Sequence, residues 1–315
     1  MGRRRRSHLA VALLLVAGLA ALLAALLAVP RGSPSLPPLS GLLVYVSDKD
    51  GRPLLYARDL ATGSERRLTA LSEGTTDPAP SPDGRWVAFS SQGRLGRVEL
   101  ASGRVDMLTL GNEYADSQPS WHPDGDRLVV VSRPNPQTPG DLHLLVPGAN
   151  AADVTRDPLT RTPGQSERFP VVASDGRSVA FLRDEQIFSI DVAARRERRL
   201  TSGFRRRGAP RRLGQGELIF PFSDDKEQGI ERLALDADSP RTLISGTARY
   251  AVVAPLGDGR HLVAEFLYDT GTPMADVLRL GSGGELRLLG IDGTYRGTLA
   301  RSWRHGYSSP VVVHR

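Results

Sequence analysis

Apolar positions along the chain fall into two regimes. Leu9 to Val29 is an unbroken run of 21 residues composed of Leu, Ala, Val and one Gly18. As an α-helix it would extend roughly 31 Å at about 1.5 Å per residue, which matches the roughly 30 Å hydrocarbon core of a bilayer. One membrane crossing is therefore expected. Arg3, Arg4, Arg5 and Arg6 precede the run, and the positive-inside rule keeps them cytoplasmic while everything after Val29 lies outside. A cleaved signal peptide is the competing reading, with an apolar region of about 7–15 residues before a small-residue site. This run is longer, and Ala25 and Ala28 stand three apart rather than two. Both readings export the body. The expected organisation is a basic cytoplasmic segment at 1–8, a transmembrane signal anchor at 9–29, a Pro/Ser-rich tether at 30–40 (PRGSPSLPPLS) and a folded body at 41–315.

Beyond residue 40 the apolar runs shorten to three to five residues, as in Trp86-Val87-Ala88-Phe89, Leu128-Val129-Val130-Val131, Val179-Ala180-Phe181-Leu182 and Leu218-Ile219-Phe220. They are apolar throughout rather than alternating, which predicts strands covered on both faces. Most follow an Asp-Gly turn in a recurring string: DPAPSPDGRWVAFSS (77–91), DSQPSWHPDGDRLVVVS (116–132), RFPVVASDGRSVAFLR (168–183) and RYAVVAPLGDGRHLVAEF (249–266). A degenerate copy, GAPRRLGQGELIFPF (208–222), keeps only the glycine. The turn glycines Gly84, Gly125, Gly176, Gly216 and Gly259 are separated by 41, 51, 40 and 43 residues. In Ser81-Pro82-Asp83-Gly84 each residue suits its place: Pro presets φ, Asp tolerates the third position, and Gly accepts positive φ before the next strand. The other turns are expected to be built by Asp124 and Gly125, Asp175 and Gly176, and Asp258 and Gly259. A second set of turns, such as Ala-Thr-Gly-Ser at 61–64 and Ala-Ser-Gly-Arg at 101–104, completes each unit.

Four strands in a period near 43 is the spacing of a propeller blade, whereas a β-sandwich has no such period. Units fall at 77–110, 116–156, 168–201, 208–245 and 249–290. Residues 41–70 supply three strands, and 294–300 or 309–315 supplies the missing innermost one. The expected fold is all-β, a six-bladed β-propeller following one N-terminal transmembrane or signal-anchor helix. Seven blades would result if 292–315 formed strands of its own.

Charge changes the functional picture less than the pI near 10 suggests. The chain has 315 residues, with 41 basic against 35 acidic, but residues 1–40 hold five arginines and no acid, leaving 36 against 35 in the body. That near-neutral body argues against a nucleic-acid partner. Thirty-nine of the basic residues are arginine, Lys49 and Lys226 being the lysines. The chain has no cysteine, which excludes disulfides and thiolate metal sites.

No cofactor is expected from the sequence. His8, His122, His143, His261, His305 and His314 show no ligand spacing. The Asp-Gly turns lack the alternating acids of a calcium loop, and Asp48-Lys49-Asp50-Gly51 comes closer without reaching the ligand count. Nine arginines crowd residues 195–212, spanning the end of one unit and the start of the next. They read as solvated side chains or as a surface for an anionic partner. The long segments 133–140, 156–167, 204–210, 223–228 and 268–275 all join units or second to third strands, so they share one face, where function concentrates. The expected partner-binding residues are Arg133, Arg205, Arg206, Arg207, Asp224 and Asp225.

The string Pro80-Ser81-Pro82-Asp83-Gly84-Arg85, with Val87-Ala88-Phe89, Ser91, Val98, Leu100, Gly103 and Leu108-Thr109, resembles the TolB-type, WD40-like β-propeller repeat. The resemblance covers roughly residues 41–290 and implies a bacterial exported propeller. TolB itself carries an α/β domain ahead of the blades, where this sequence has the tether, so an orthodox TolB is not expected. Similar blades precede prolyl-oligopeptidase-type hydrolase domains, but no G-x-S-x-G is present. Oligogalacturonate lyases resemble this kind of propeller and use a histidine cluster with a metal. The functional expectation is a non-catalytic extracytoplasmic scaffold for an envelope protein, inserted in or exported across a membrane. The alternative is an envelope enzyme of glycan-lyase or hydrolase type with a site at the central channel.

Overall fold

A computed structural model describes residues 36–135, 137–246, 249–267, 284–302 and 307–313. The segments 1–8, 9–29 and 30–35 lie outside the described residues, as do the loop 268–275, His8, His305 and His314. Among the described residues there are 25 strands in six antiparallel sheets, and no helix long and apolar enough to cross a membrane. Six sheets rather than seven is the count that the strand pairing gives.

The first sheet contains β1 (Leu42–Ser47), β2 (Leu54–Asp59) and β3 (Glu65–Arg67). The second holds β4 (Thr76–Pro80), β5 (Trp86–Ser91), β6 (Arg94–Glu99) and β7 (Val105–Met107), and the third β8 (Ala115–Trp121), β9 (Leu128–Arg133), β10 (Asp141–Val146) and β11 (Thr155–Pro158). The fourth comprises β12 (Arg168–Val172), β13 (Ser178–Arg183), β14 (Gln186–Asp191) and β15 (Glu197–Arg199). In the fifth the innermost strand is broken into β16 (Arg206–Arg207) and β17 (Arg211–Arg212), ahead of β18 (Glu217–Ser223), β19 (Gln228–Ala234) and β20 (Arg241–Gly246). The sixth has β21 (Arg249–Pro255), β22 (His261–Leu267), β23 (Gly284–Gly290) and β24 (Tyr295–Ser302). The last strand, β25 (Tyr307–Val313), returns to pair with β1, Val313 opposite Leu42 and Val311 opposite Val44. Thus the end of the chain closes the ring and removes an open edge.

The core is divided into six apolar clusters, each between neighbouring sheets. Leu42, Val44 and Leu55 of the first blade meet Val87, Phe89 and Val98 of the second. The sequence of contacts continues round to Val263, Leu286 and Leu288 of the sixth, which pack on Leu43, Tyr45 and Tyr56 of the first. Because neighbours cover each sheet on both faces, second strands carry no polar alternation; every residue of β5 is buried.

In the second blade's turn the Gly84 amide donates to the Ser81 carbonyl at 3.0 Å, and Gly84 adopts φ 66°. Asp83 Oδ1 accepts from Ser81 Oγ at 2.5 Å and from the Arg85 amide at 3.0 Å. The same amide-to-carbonyl closure recurs at Gly125, Gly176 and Gly259.

Two further repeating devices are tertiary. Threonines Thr69, Thr109, Thr160 and Thr201 follow the outermost strands, and each hydroxyl accepts the amide of Leu55, Leu95, Leu142 or Ile187 at the third strand, at 2.9–3.1 Å. Thr109 and Leu95 are both buried, so Thr109→Val leaves an amide without its acceptor. This is expected to cost about 1–3 kcal/mol, measurable by urea denaturation; an unchanged midpoint would refute that role. The second device is a bulge in the innermost strands. Asp77, Gln118, Phe169 and Ser309 have φ near +50°, and each precedes a proline, which bars the preceding residue from the right-handed helical region. Such backbone costs about 1–3 kcal/mol per residue. Neighbouring blades hold it in place: Gln118 N donates to Ser90 Oγ at 3.1 Å, Phe169 N to Gln118 Oε1 at 2.7 Å and Ser309 N to Glu265 Oε2 at 3.3 Å.

One expected unit needs correcting. The sixth blade extends to Ser302 rather than ending at 290, because 284–290 pairs along its whole length with β22 as a third strand, from Leu267 opposite Gly284 to His261 opposite Gly290. The outermost strand is β24, after a turn at Asp292-Gly293. Residues 294–300 therefore do not close the ring. The 277–290 and 284–302 stretches have similar apolar patterns, and only the pairing register separates them.

Candidate functional site

The innermost strands surround an axial cavity of about 770 Å³, lined by Asp77, Pro78, Gln118, Pro119, Trp121, Pro170 and Val311 among others. Arg211, on β17, enters its wall. The Arg211 Nη1 donates to the Pro210 carbonyl at 3.2 Å, and its buried Nε has no hydrogen-bond partner. Burial pushes this guanidinium below its ordinary value, against the opposing pull of Asp77 and Glu265. Neither carboxylate forms an ion pair with it.

Glu265, on β22, is 6% exposed and accepts the Ser309 amide. Burial raises its carboxyl to about 7, while the Ser309 amide and the charge of Arg211 act in the other direction. The shift sets a sign. A carboxyl raised above its unfolded value of 4.5 leaves the fold at full strength below that pH and weakens it as pH rises towards 7. Glu265→Gln retains an acceptor without the charge. At pH 8 it is expected to stabilise the fold by about 3 kcal/mol at most, and the gain should vanish below pH 4.5. Chemical denaturation at the two pH values checks this; equal effects at both would contradict it.

Antiparallel order places the Asp-Gly turns and the third-to-fourth turns at one end of the ring. The second-to-third loops and blade connectors lie at the other. At this connector end Arg205 and Arg207 are drawn into their own blade's acids. Arg205 pairs with Asp224 at 3.1 Å, with Glu231 at 2.8 Å and with Glu227, and lies over the Phe222 ring at 4.2 Å. Arg207 is buried, reaching Glu231 at 3.1 Å and Gln186 Oε1 at 2.7 Å. Asp224 accepts the amides of Lys226 and Glu227, which together with Arg205 hold its carboxyl low. Arg206 projects away, its side chain 72% exposed and 3.6 Å from Glu185, and Asp225 is exposed. Arg133 ends β9, two blades away, where it is half-buried over Gly140. The structure thus gathers Arg205, Arg207 and Asp224 and leaves Arg133 apart.

Other arginines of the 195–212 concentration stitch blades together: Arg195 to Asp157 of the third blade and Arg198 to the Leu235 carbonyl of the fifth. Phe204, fully exposed beside Arg205, and half-exposed Leu110 also stand at the connector end. The length of the connector pointed to this end, but a solvent-facing aromatic could not be distinguished from a core residue by pattern alone. His122 bridges two blades at the opposite end, facing the Gly176 carbonyl at 3.2 Å and Asp124 at 3.0 Å. His143 is buried against Tyr114 with its Nδ1 unpartnered. Among the described residues no three His, Cys, Asp or Glu side chains group to hold a metal.

Six radial four-stranded sheets, sealed by the last strand around an axial cavity, define a closed β-propeller. No protein-family model matches the chain. Protein TolB homolog of Chlorobium chlorochromatii is 31% identical over 144 residues, 44% of this chain and 30% of that one. Its counterpart from Chlorobium luteolum is 35% identical over 158 residues, 48% of this chain and 34% of that one. The matched stretches thus span about a third of those relatives. TolB from Acinetobacter baumannii superposes with a TM-score of 0.69 at 17% identity, over 89% of this chain and 68% of that one. An oligogalacturonate lyase in complex with manganese gives 0.58 at 16% identity, over 84% and 76%. These likenesses support a TolB-like β-propeller family.

Proposed function

We propose that this chain is an extracytoplasmic, non-catalytic scaffold that holds a protein partner at the cell envelope through the connector end of its ring. The observation that carries the reading is Phe204, a fully exposed aromatic beside the exposed Arg206. Aromatic and arginine side chains dominate the energetics of protein interfaces, and burying a solvated phenylalanine contributes about 1.5–3 kcal/mol. Leu110 and Arg133, two blades away on the same end, would be reached only by a broad partner, with the exposed Asp225 at the rim of the Phe204 patch. The TolB relatives support an envelope setting, several of them being Tol-Pal system proteins. The apolar run 9–29 would serve as the membrane anchor, or as a signal removed on export.

Photo-crosslinking in the native envelope tests this. A Phe204→p-benzoylphenylalanine variant should yield a discrete protein adduct by mass spectrometry, and Arg206→Gln should reduce its yield several-fold. The same probe at Val146, an exposed position at the Asp-Gly end, should yield none. Adducts at Val146 without any at Phe204 would defeat the proposal. The enzyme alternative draws on the ionisable groups in the channel wall and on the likeness to a lyase; cleavage of an envelope glycan by the purified chain, lost on altering Asp77, would favour it instead.

A further inference from the structure

We propose that the axial channel is a binding site for a carboxylate-bearing organic ligand, with Arg211 as the group that recognises the anion. The site lies on the axis and is independent of the partner surface at the connector end. Four observations converge on it.

First, its volume of about 770 Å³ lies within the roughly 300–1,000 Å³ of small-ligand sites. Its walls combine rigid apolar surface with several polar groups. Pro78, Pro119, Pro170 and Val311 line it beside Gln118 and Ser120.

Second, Arg211 differs from the other sheltered arginines. Arg156, Arg183 and Arg207 each meet a carboxylate at 2.6–3.1 Å. Arg211 meets none, and its Nε is an orphan donor. A guanidinium taken from water without an anionic partner is costly, and a carboxylate offers its donors a charge-assisted match.

Third, the repeat itself marks the position. In the innermost strands the residue after the bulge proline is Ala79, Ser120, Val171 and Val311 in four blades. The fifth blade places Arg211 there, after Pro210. The bulge's positive φ is present at Asp77, Gln118, Phe169 and Ser309 and not at Ala209, so the cation stands where the inner strand of the fifth blade departs from the repeat.

Fourth, the chemistry of the wall matches an organic acid. Asp77, Arg212 and the Glu217–Arg232 ion pair share the lining with Arg211, so the channel mixes both signs of charge rather than concentrating the cations that a phosphate carrying about −1.5 to −2 charges calls for. Its proline and valine walls suit an organic stem. Either a free short-chain organic acid or the carboxyl terminus of a peptide has this chemistry.

The test uses the purified full chain in detergent, titrated calorimetrically with hexanoate against hexanamide, and with an acetylated alanine tetrapeptide bearing a free or amidated C-terminus. Trp121 lines the channel, its Nε1 donating to the Ala79 carbonyl at 3.0 Å, so its fluorescence reports occupancy independently. At least one acid should bind ten-fold or more tighter than its amide. Hexanoate alone would identify a free acid as the ligand, and the free-terminus peptide alone a chain end. Arg211→Gln should bring the acid down to the amide's affinity, whereas Arg206→Gln, exposed and outside the channel lining, should leave the difference intact. Equal binding of acid and amide by the unaltered chain, or no binding of either pair, overturns the proposal without any variant. Full acid preference in a folded Arg211→Gln protein would also overturn it. Arg211→Lys, which keeps the charge and loses the fork, should fall between the two. Loss of partner crosslinking from Phe204 would leave this outcome unaffected.

Discussion

Deleting residues 307–315 is expected to abolish the folded ring, producing a chain that lacks a cooperative thermal transition and elutes as aggregate. The strand removed, β25, supplies the innermost edge of the first blade, pairing with β1 from Leu42 opposite Val313 to Ser47 opposite Tyr307. It also serves two cores: Val311 and Val313 enter the cluster between the first and second blades, and Val312 the cluster between the sixth and first. Burying each valine contributes about 1.5–3 kcal/mol, so their loss alone is on the order of 5 kcal/mol, against a total stability of about 5–15 kcal/mol for a typical protein. Deletion also leaves β1 as an open apolar edge, a template for association. Far-UV circular dichroism and size-exclusion chromatography of the shortened chain decide the matter. A monomer melting within a few degrees of the full chain would show that the closure is dispensable.

The second large effect is expected at the seam between the third and fourth blades. Glu167 is completely buried in the connector between them, where its amide donates to the Gly140 carbonyl at 2.9 Å. Its carboxylate accepts from Thr160 and Thr162 and from Arg183 Nε at 2.6 Å. Arg183, 5% exposed, also reaches Glu197. Arg183→Met would leave Glu167 ionised and uncompensated, at a cost of about 3–5 kcal/mol. Burial already raises the Glu167 carboxyl, and removing the cation would raise it further. The deficit should therefore be greatest at high pH, shrink as pH falls through the raised folded-state value of the Glu167 carboxyl, and be largely gone by pH 4.5, the value of the unfolded group. Pairing the change with Glu167→Gln should recover much of the loss. A deficit under about 1 kcal/mol at pH 7 would mean that Arg183 contributes no more than a surface ion pair.

Both effects involve positions that sequence pattern ranks differently. Residues 309–315 could be singled out as a closing strand because the first unit lacked a strand and SPVVVHR is apolar. Nothing local selected it over 294–300, since the two runs have similar β character and only pairing register separates them. Arg183 and Glu167 lie 16 residues apart with no recognisable spacing. Their union depends on the connector folding back against the next blade. Arg205 and Arg207 stood out only as members of an arginine concentration. Which of the three arginines is taken up by Glu231 and which faces outward follows from strand alternation around a broken inner strand. Arg211 belonged to the same concentration and carried no separate signal, because a channel exists only once six blades surround it.

By itself the sequence determined the unit and its turns and narrowed the number of units to six or seven. Turn glycines at positive φ and apolar runs without alternation are local requirements, and each copy states them within about 15 residues. Tertiary structure alone decided the register of the sixth blade, the choice of closing strand, the pairing of buried charges and the convergence of Asp77 and Arg211 on one cavity. These depend on residues tens to hundreds of positions apart, whose energies arise from desolvation and contact across blade boundaries rather than from any preference of the chain around them.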